Sequence, residues 1–250
     1  MTLWRLEWLR LIRTRRLVAV LGAYVFFGLT GPLTARYLSE ILGRLGTGGV
    51  RVEFPPPTPA DGVAQFTANA SQIGLLVVVL VAAAALAFDA RREMAVFLRT
   101  RVRGAAPILL PAYLVTTGAA AAGLVLGALA AWYETAVLIG PLPAGPMLAG
   151  MACGALFLAF AVALTALAAA LTRGVLATAG ATLAVLLAVA AVDGLTGAPW
   201  LPTRLAGAME ELVRGGPGAG LGLLPCAGLT AALAAGALTG AVLLATRREI

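Results

Sequence analysis

The sequence predicts an all-α polytopic membrane protein with six transmembrane helices, and composition is the first reason. The chain has 250 residues, of which 61% are hydrophobic and only 12% are charged, whereas soluble domains carry about 25% charged residues. Its mean hydropathy is +0.97. The polar surface is therefore too small to cover a soluble globule, and we expect most apolar side chains to face lipid.

The second reason is the spacing of the apolar segments, each of which is long enough to cross about 30 Å of hydrocarbon. The motif PLPAGP at 141–146 separates the third span from the fourth, because prolines end a helix. We expect the three GxxxG patterns at Gly123, Gly150 and Gly236 to serve helix packing only. The predicted spans are 17–37, 69–88, 107–132, 147–171, 175–193 and 222–245.

The third observation is the distribution of arginine, which predicts the orientation. All 18 basic residues are arginine. With both termini in the cytoplasm, the inner segments hold 13 arginines and four acids, and the outer segments hold five arginines and seven acids. Because positive charge is retained on the cytoplasmic side, we expect a multi-pass protein of the bacterial inner (plasma) membrane with both termini inside.

The N-terminal residues 2–14 form an amphipathic pattern. Trp4, Trp8, Leu11 and Ile12 share one face of a helical wheel, with arginines on the other. This arrangement is typical of a helix that lies in the inner membrane interface. A signal peptide is the competing interpretation, but the following apolar run is long for one, so we do not expect cleavage.

Two segments are predicted on the outer side. The loop from Leu38 to Ala68 contains FPPPTP at 54–59, which favours an extended path. The segment 194–221 contains a predicted short helix at 203–214, between a proline and GGPG. Its apolar face consists of Leu205, Met209 and Leu212, and this face favours a helix that lies on the outer interface or dips into it as a re-entrant segment.

The sequence excludes several kinds of chemistry. Without lysine the chain cannot form a standard P-loop, and without histidine it has no Ser-His triad and no zinc-protease helix. Two cysteines, Cys153 and Cys226, cannot form a four-ligand metal site, and we expect no disulfide between them. Asp89, Glu134 and Asp193 lie at the ends of spans, so no carboxylate is available for an intramembrane proton relay. We predict no catalytic site, no metal and no nucleic-acid partner.

The stretch FDARREMAVFLRTRVRGAAPILLPAYL, from Phe88 to Leu114, interrupts the apolar pattern with seven charges between Asp89 and Arg103. Three interpretations compete: a solvated positive-inside loop, a site for anionic lipids, and a docking helix for a cytoplasmic partner. The apolar residues Phe97 and Leu98 among the charges favour docking, because neither other interpretation requires them.

Taken together, these features resemble the permease subunit of type-2 ABC exporters. The resemblance covers nearly the whole chain: six spans, an interfacial N-terminal helix and a charged cytoplasmic segment between spans two and three. Asp89 to Glu93 is similar to the charged start of that segment in the family, and Arg101 to Pro107 is similar to its basic turn. The sequence departs from the family pattern at Met94 to Val96, where a Gly-Thr pair is often found.

The resemblance implies an N-terminal elbow helix at 2–14 and a short coupling helix within 89–106. It implies a separate ABC ATPase subunit that carries ATP and Mg²⁺, and a second permease copy, either identical or related. No cofactor would be bound by this chain itself. The residues implied in ATPase docking are Arg91, Arg92, Glu93, Phe97, Leu98, Arg99, Arg101 and Arg103.

A transport pathway without buried charge favours amphipathic or apolar cargo, such as a drug, an antibiotic or a lipid-like molecule. Polar residues in the spans that could line this pathway are Asn69, Ser71, Gln72, Thr178 and Thr182, although each also suits ordinary helix packing. Two other functions stay open. One is a membrane assembly or immunity factor that docks a different cytoplasmic partner, and the other is an ion-coupled carrier or passive pore.

Overall fold

The computed structural model describes residues 3–45, 56–87, 104–216 and 220–247. Within these ranges the chain is helical and contains no strand. Six of the helical segments are long and apolar enough to cross a membrane, which confirms the predicted all-α class and the number of candidate spans.

Nine α-helices and one π-helical segment follow one another in the described ranges. The π-helical segment joins α3 to α4, so that these three elements form one continuous span from Pro59 to Leu86. The helices are α1 (Leu3–Arg13), α2 (Arg16–Leu45), α3 (Pro59–Asn69), α4 (Leu75–Leu86), α5 (Ala106–Leu138), α6 (Ala144–Leu171), α7 (Val175–Thr196), α8 (Thr203–Arg214) and α9 (Leu223–Arg247), and the π-helix is Ala70–Gly74.

The outer loop is shorter than the sequence predicted, because helices occupy both of its ends. Helix α2 runs on to Leu45, and α3 begins at Pro59, ten residues before the predicted start of the second span. The Asp61 carboxylate accepts hydrogen bonds from the backbone N–H and the hydroxyl of Thr58, at 2.8 and 2.7 Å. Such an N-terminal cap, followed by proline at the first helical position, starts a helix where proline alone predicted an extended path.

Glycine brings α2 and α5 into backbone contact. A Cβ atom at Gly127 would lie 2.5 Å from the Tyr24 carbonyl oxygen, and a Cβ at Gly28 would collide with the Gly127 carbonyl oxygen. The predicted packing role therefore holds at Gly127 and at Gly150, where a Cβ would lie 2.5 Å from the Met209 Cα. In the third pattern, Gly236 has open space around it within this chain, and a Cβ at Gly240 would make only an ordinary contact with Leu167, at 3.4 Å.

Helix α8 is present at the predicted position, but it packs into the bundle, against α6 and α3. Its apolar face is buried in the protein at Leu205, Ala208 and Met209, so this face does not lie on the outer lipid interface. The reason is Gly150 on α6, whose missing side chain lets the α8 backbone approach. Polar contacts also hold α8: Thr203 donates to Asp193 at 2.6 Å.

Candidate functional site

The predicted docking residues between Arg91 and Arg103 lie outside the described residues. The structure does describe the helices on either side, because α4 ends at Leu86 and α5 begins at Ala106. Of the coupling segment predicted at 89–106, the structure describes only residues 104–106. Helix α5 begins at the last of these, Ala106. The two helices that lead into and out of the charged segment are thus both in place.

Helix α1 contacts both of these helices. It packs along α5, and the Arg10 guanidinium donates a hydrogen bond to the Ala84 carbonyl oxygen at 3.4 Å. That carbonyl lies in the last turn of α4, where helix carbonyls lack partners within the helix and attract cations. Helix α1 therefore contacts both of the helices that flank the charged segment.

The two faces of α1 meet different surroundings. Leu11 is buried against the bundle, whereas Trp4, Trp8 and Ile12 are exposed. Arg10 lies 3.6 Å from Glu7. Burial raises the pKa of Glu7, and the charge and hydrogen bond of Arg10 oppose that rise. Exposed apolar side chains next to the partly buried Glu7–Arg10 pair are typical of a helix that rests on a membrane surface.

The five predicted pathway residues fall into two groups that the structure does not bring together. Thr178 and Thr182 are fully buried in α7, and each hydroxyl donates to the carbonyl four residues earlier on its own helix. Both hydroxyls are thus satisfied, and that of Thr178 also lies 2.7 Å from the Thr172 hydroxyl at the end of α6. The other three, Asn69, Ser71 and Gln72, lie together at the junction of α3 and the π-helix.

The π-helix Ala70–Gly74 is the irregular element of this span. Its hydrogen bonding is visible at Leu75, whose N–H bonds to the Ala70 carbonyl five residues earlier. Isolated π-turns inside α-helices occur frequently at functional sites. Gly74 ends the segment against Tyr24 of α2, and a Cβ there would lie 2.9 Å from the Tyr24 ring.

The two sides of the π-helix face different environments. Ser71 is half-buried and lines a cavity inside the bundle. Gln72 is exposed on the outside of the bundle, next to Ile73. The structure places Gln72 well inside the span, because the helix that contains it begins at Pro59. An exposed amide at that depth is costly in lipid, so it favours a partner or a polar pathway.

The cavity lies beneath α8 and is partly open. About 30 Å³ of it can be entered by a water-sized molecule. Phe66, Leu124, Phe157 and Leu158 give it apolar walls, and Met209 of α8 covers it. None of the described residues that line it carries a charge. The site therefore suits a neutral ligand.

Two buried hydroxyls that line the cavity have no hydrogen-bond partner among the described residues: Tyr24, which is 1% exposed, and Thr67, which is 7% exposed. Other helical threonines, such as Thr165 and Thr230, donate to the carbonyl four residues earlier, but Thr67 does not. Leaving a buried polar group unpaired costs about 1–3 kcal/mol. Lipid cannot supply a replacement partner, so both hydroxyls are available to a ligand.

Sequence reasoning missed both hydroxyls. Thr67 lies in the stretch from Leu38 to Ala68, which the sequence pattern predicts to be the outer loop. Tyr24 did carry a signal, because it is a tyrosine in the interior of a predicted span, whereas tyrosines of membrane helices are enriched at the interfaces.

Other candidate chemistry is absent from the part of the chain that the structure describes. There, no group of three or more His, Cys, Asp or Glu residues could hold a metal ion. Cys153 and Cys226 are free thiols. The buried Cys226 thiol donates to the Leu201 carbonyl at 3.1 Å, which is a packing role.

Comparison with protein-family models, with curated proteins and with solved structures finds no match to this chain.

Proposed function

We propose that this protein is the permease subunit of an ATP-driven ABC exporter in the bacterial inner membrane. Two permease copies pair with two ATPase subunits, and the ATPases carry the ATP and Mg²⁺. The cargo is amphipathic or apolar. Both termini and the charged segment between the second and third spans face the cytoplasm.

The energy source is the first argument. The full sequence has no lysine for a P-loop and no histidine, and the acids of its spans lie near helix ends. Proton-driven carriers usually need an ionisable group at depth. Active transport by this chain would therefore draw on an external source of energy, which a partner ATPase provides.

The observation that carries the proposal is the position of α1 beside both flanking helices. Arg10 holds the last turn of α4, and α1 packs along α5. A force on the charged segment would be transmitted to both helices and to α1 together. Coupling of this kind needs two arrangements of the helices, and ATP binding by the partner would bias one of them.

The nature of the cargo follows from the polar groups on the span surfaces. Past the first turn of the second span, the exposed polar side chain is the uncharged amide of Gln72, with the half-exposed Asn69 one turn away. An uncharged surface of this kind suits a molecule with a large apolar body and a few neutral polar groups.

The test combines co-purification with a matched pair of charge reversals. We expect a stoichiometric companion with a GxxxxGK[ST] loop when the complex is extracted from its native membrane. Arg92→Glu should lower ATP-dependent efflux at least tenfold, with normal membrane insertion. Arg247→Glu changes the inner charge equally outside the charged segment, so it should retain efflux.

Two results would contradict the proposal. One is a companion that binds no nucleotide, which would favour a membrane assembly or immunity factor. The other is transport that persists without ATP and follows a sodium gradient, which would favour an ion-coupled carrier.

A further inference from the structure

The cavity beneath α8 has features that the exporter proposal does not use. It lies inside one chain, among α2, α3, the π-helix, α5, α6 and α8. A transport pathway between two permease copies would lie elsewhere. The function of the cavity can therefore be argued independently of any ATPase.

The cavity is built from close backbone contacts. Gly74, Gly123 and Gly127 surround Tyr24, and a Cβ at any of them would lie between 2.5 and 3.3 Å from Tyr24 atoms. The ring therefore has little freedom to move. The Tyr24 hydroxyl lies beside Gly74 of the π-helix, because a Cβ added at Gly74 would be 3.3 Å from the hydroxyl oxygen.

The second hydroxyl is positioned by the helix that precedes the π-helix. Thr67 stands one turn before Ser71, and the Ser71 hydroxyl is already engaged with the Ala68 carbonyl at 3.0 Å. The cavity thus contains two free hydroxyls, on Tyr24 and Thr67, and one that is satisfied. The two free hydroxyls belong to different helices, and both residues line the same cavity.

The walls determine the rest of the ligand. Aromatic and aliphatic side chains favour an apolar body, and the flexible Met209 side chain can adapt to its shape. The absence of charge in the lining disfavours an ionised group, which would lack a counter-charge. Only about 30 Å³ of the cavity can be entered by a water-sized molecule, so a larger apolar body would extend out through the open side.

We propose that this cavity binds the neutral carbonyl, ester or hydroxyl group of an amphipathic molecule, with the Tyr24 and Thr67 hydroxyls donating to its oxygen. The same chemistry is found in a neutral membrane lipid and in a water-borne amphiphile. The proposal concerns binding by this chain and does not depend on transport.

The test is photolabelling of the purified full chain in nanodiscs, with the labelled peptides mapped by mass spectrometry. One arm uses a photoreactive diacylglycerol placed in the nanodisc, and the other uses a photoreactive medium-chain methyl ketone added from water. A photoreactive alkane without oxygen is the control. We expect an oxygen-bearing probe, and not the alkane, to label the peptides around Phe66 and Phe157.

Two variants remove the hydroxyls without changing the size of the side chains much: Tyr24→Phe and Thr67→Val. Each should reduce labelling at least fivefold, and the double variant should abolish it. Thr165→Val is the matched control, because it removes a buried hydroxyl that bonds Ala161 away from the cavity, and labelling should be unchanged. The melting temperature should stay level or rise in the first two variants, since no hydrogen bond is lost.

The two arms separate the possible sources. Labelling by the diacylglycerol alone assigns the site to a lipid, and labelling by the ketone assigns it to a water-borne amphiphile. The proposal is wrong if neither probe labels these peptides, if the alkane labels them equally, or if the hydroxyl variants label as well as the wild type does.

Discussion

The close approach of α2 and α5 can be tested by adding one methyl group at Gly127. In Gly127→Ala the new Cβ would lie 2.5 Å from the Tyr24 carbonyl oxygen, and backbone atoms cannot turn aside as a side chain can. To reach an ordinary contact of 3.4 Å, the helices must separate locally by about 0.9 Å. Such overpacking typically costs about 1–3 kcal/mol.

The control is Gly118→Ala in the same helix, where a Cβ would meet nothing within 4 Å. Both substitutions gain about 1 kcal/mol in helix propensity, so this gain cancels in the comparison. The two variants should therefore differ by the overpacking cost alone. On the scaling known for soluble domains, this cost lowers the melting temperature by roughly 2–12 °C.

A thiol-reactive fluorogenic dye suits the assay, because Cys226 is fully buried and Cys153 partly buried. Both thiols become reactive when the bundle opens, so the dye reports unfolding in detergent micelles. If Gly127→Ala and Gly118→Ala melt at the same temperature, then α2 and α5 are not in backbone contact, and the position argued for Tyr24 is wrong as well.

Two further predictions concern α1 and the π-helix. Burial raises the pKa of Glu7, so Glu7 binds a proton more tightly when α1 is docked than when it is undocked. Protonated Glu7 therefore stabilises the docked helix, and this stabilisation is lost as the pH rises through the ordinary carboxyl pKa and then through the raised pKa. In neutral-lipid nanodiscs, the melting temperature of Glu7→Gln should thus exceed that of the wild type by an amount that grows from pH 4 to pH 7. A difference that stays constant with pH would refute the argument. Gln72→Leu should leave the free energy of unfolding within about 0.5 kcal/mol, as for most exposed sites, yet lower ATP-dependent efflux severalfold, while Ile73→Leu on the same exposed face should not. Wild-type efflux by Gln72→Leu would show that this amide does not line the pathway.

Sequence patterns predicted the elements that depend on local composition. The six spans follow from runs of apolar residues, since only helices satisfy a backbone inside lipid. The helix Thr203–Arg214 follows from the proline before it and the glycine after it, where Gly215 has φ of +67°. The start of α3 was missed because the two hydrogen bonds that Thr58 donates to the Asp61 carboxylate outweigh the extended preference of the preceding prolines.

The surroundings of the predicted site residues could not be read from the sequence, because they depend on which neighbours each side chain meets in the folded bundle. Ser71 lines a cavity within the chain, Thr182 hydrogen-bonds its own helix, and Thr178 contacts both the Gly174 carbonyl and the Thr172 hydroxyl. Their role in a transport pathway remains a prediction. A threonine hydroxyl in a helix can bond its own backbone or face a neighbour, and the sequence pattern is the same in both cases. The docking residues between Arg91 and Arg103 remain a prediction.

By itself, the sequence determined that this chain has six segments long and apolar enough to cross a membrane and that it contains no lysine and no histidine, because these follow from composition. The side of the membrane that its arginines occupy remains a prediction. Only the tertiary structure decided that the apolar face of α8 is buried in the bundle and that the hydroxyls of Tyr24 and Thr67 share one cavity. These two residues are 43 positions apart in the sequence. Glycines on neighbouring helices bring them together, and which helix a glycine will meet depends on the packing of the whole bundle.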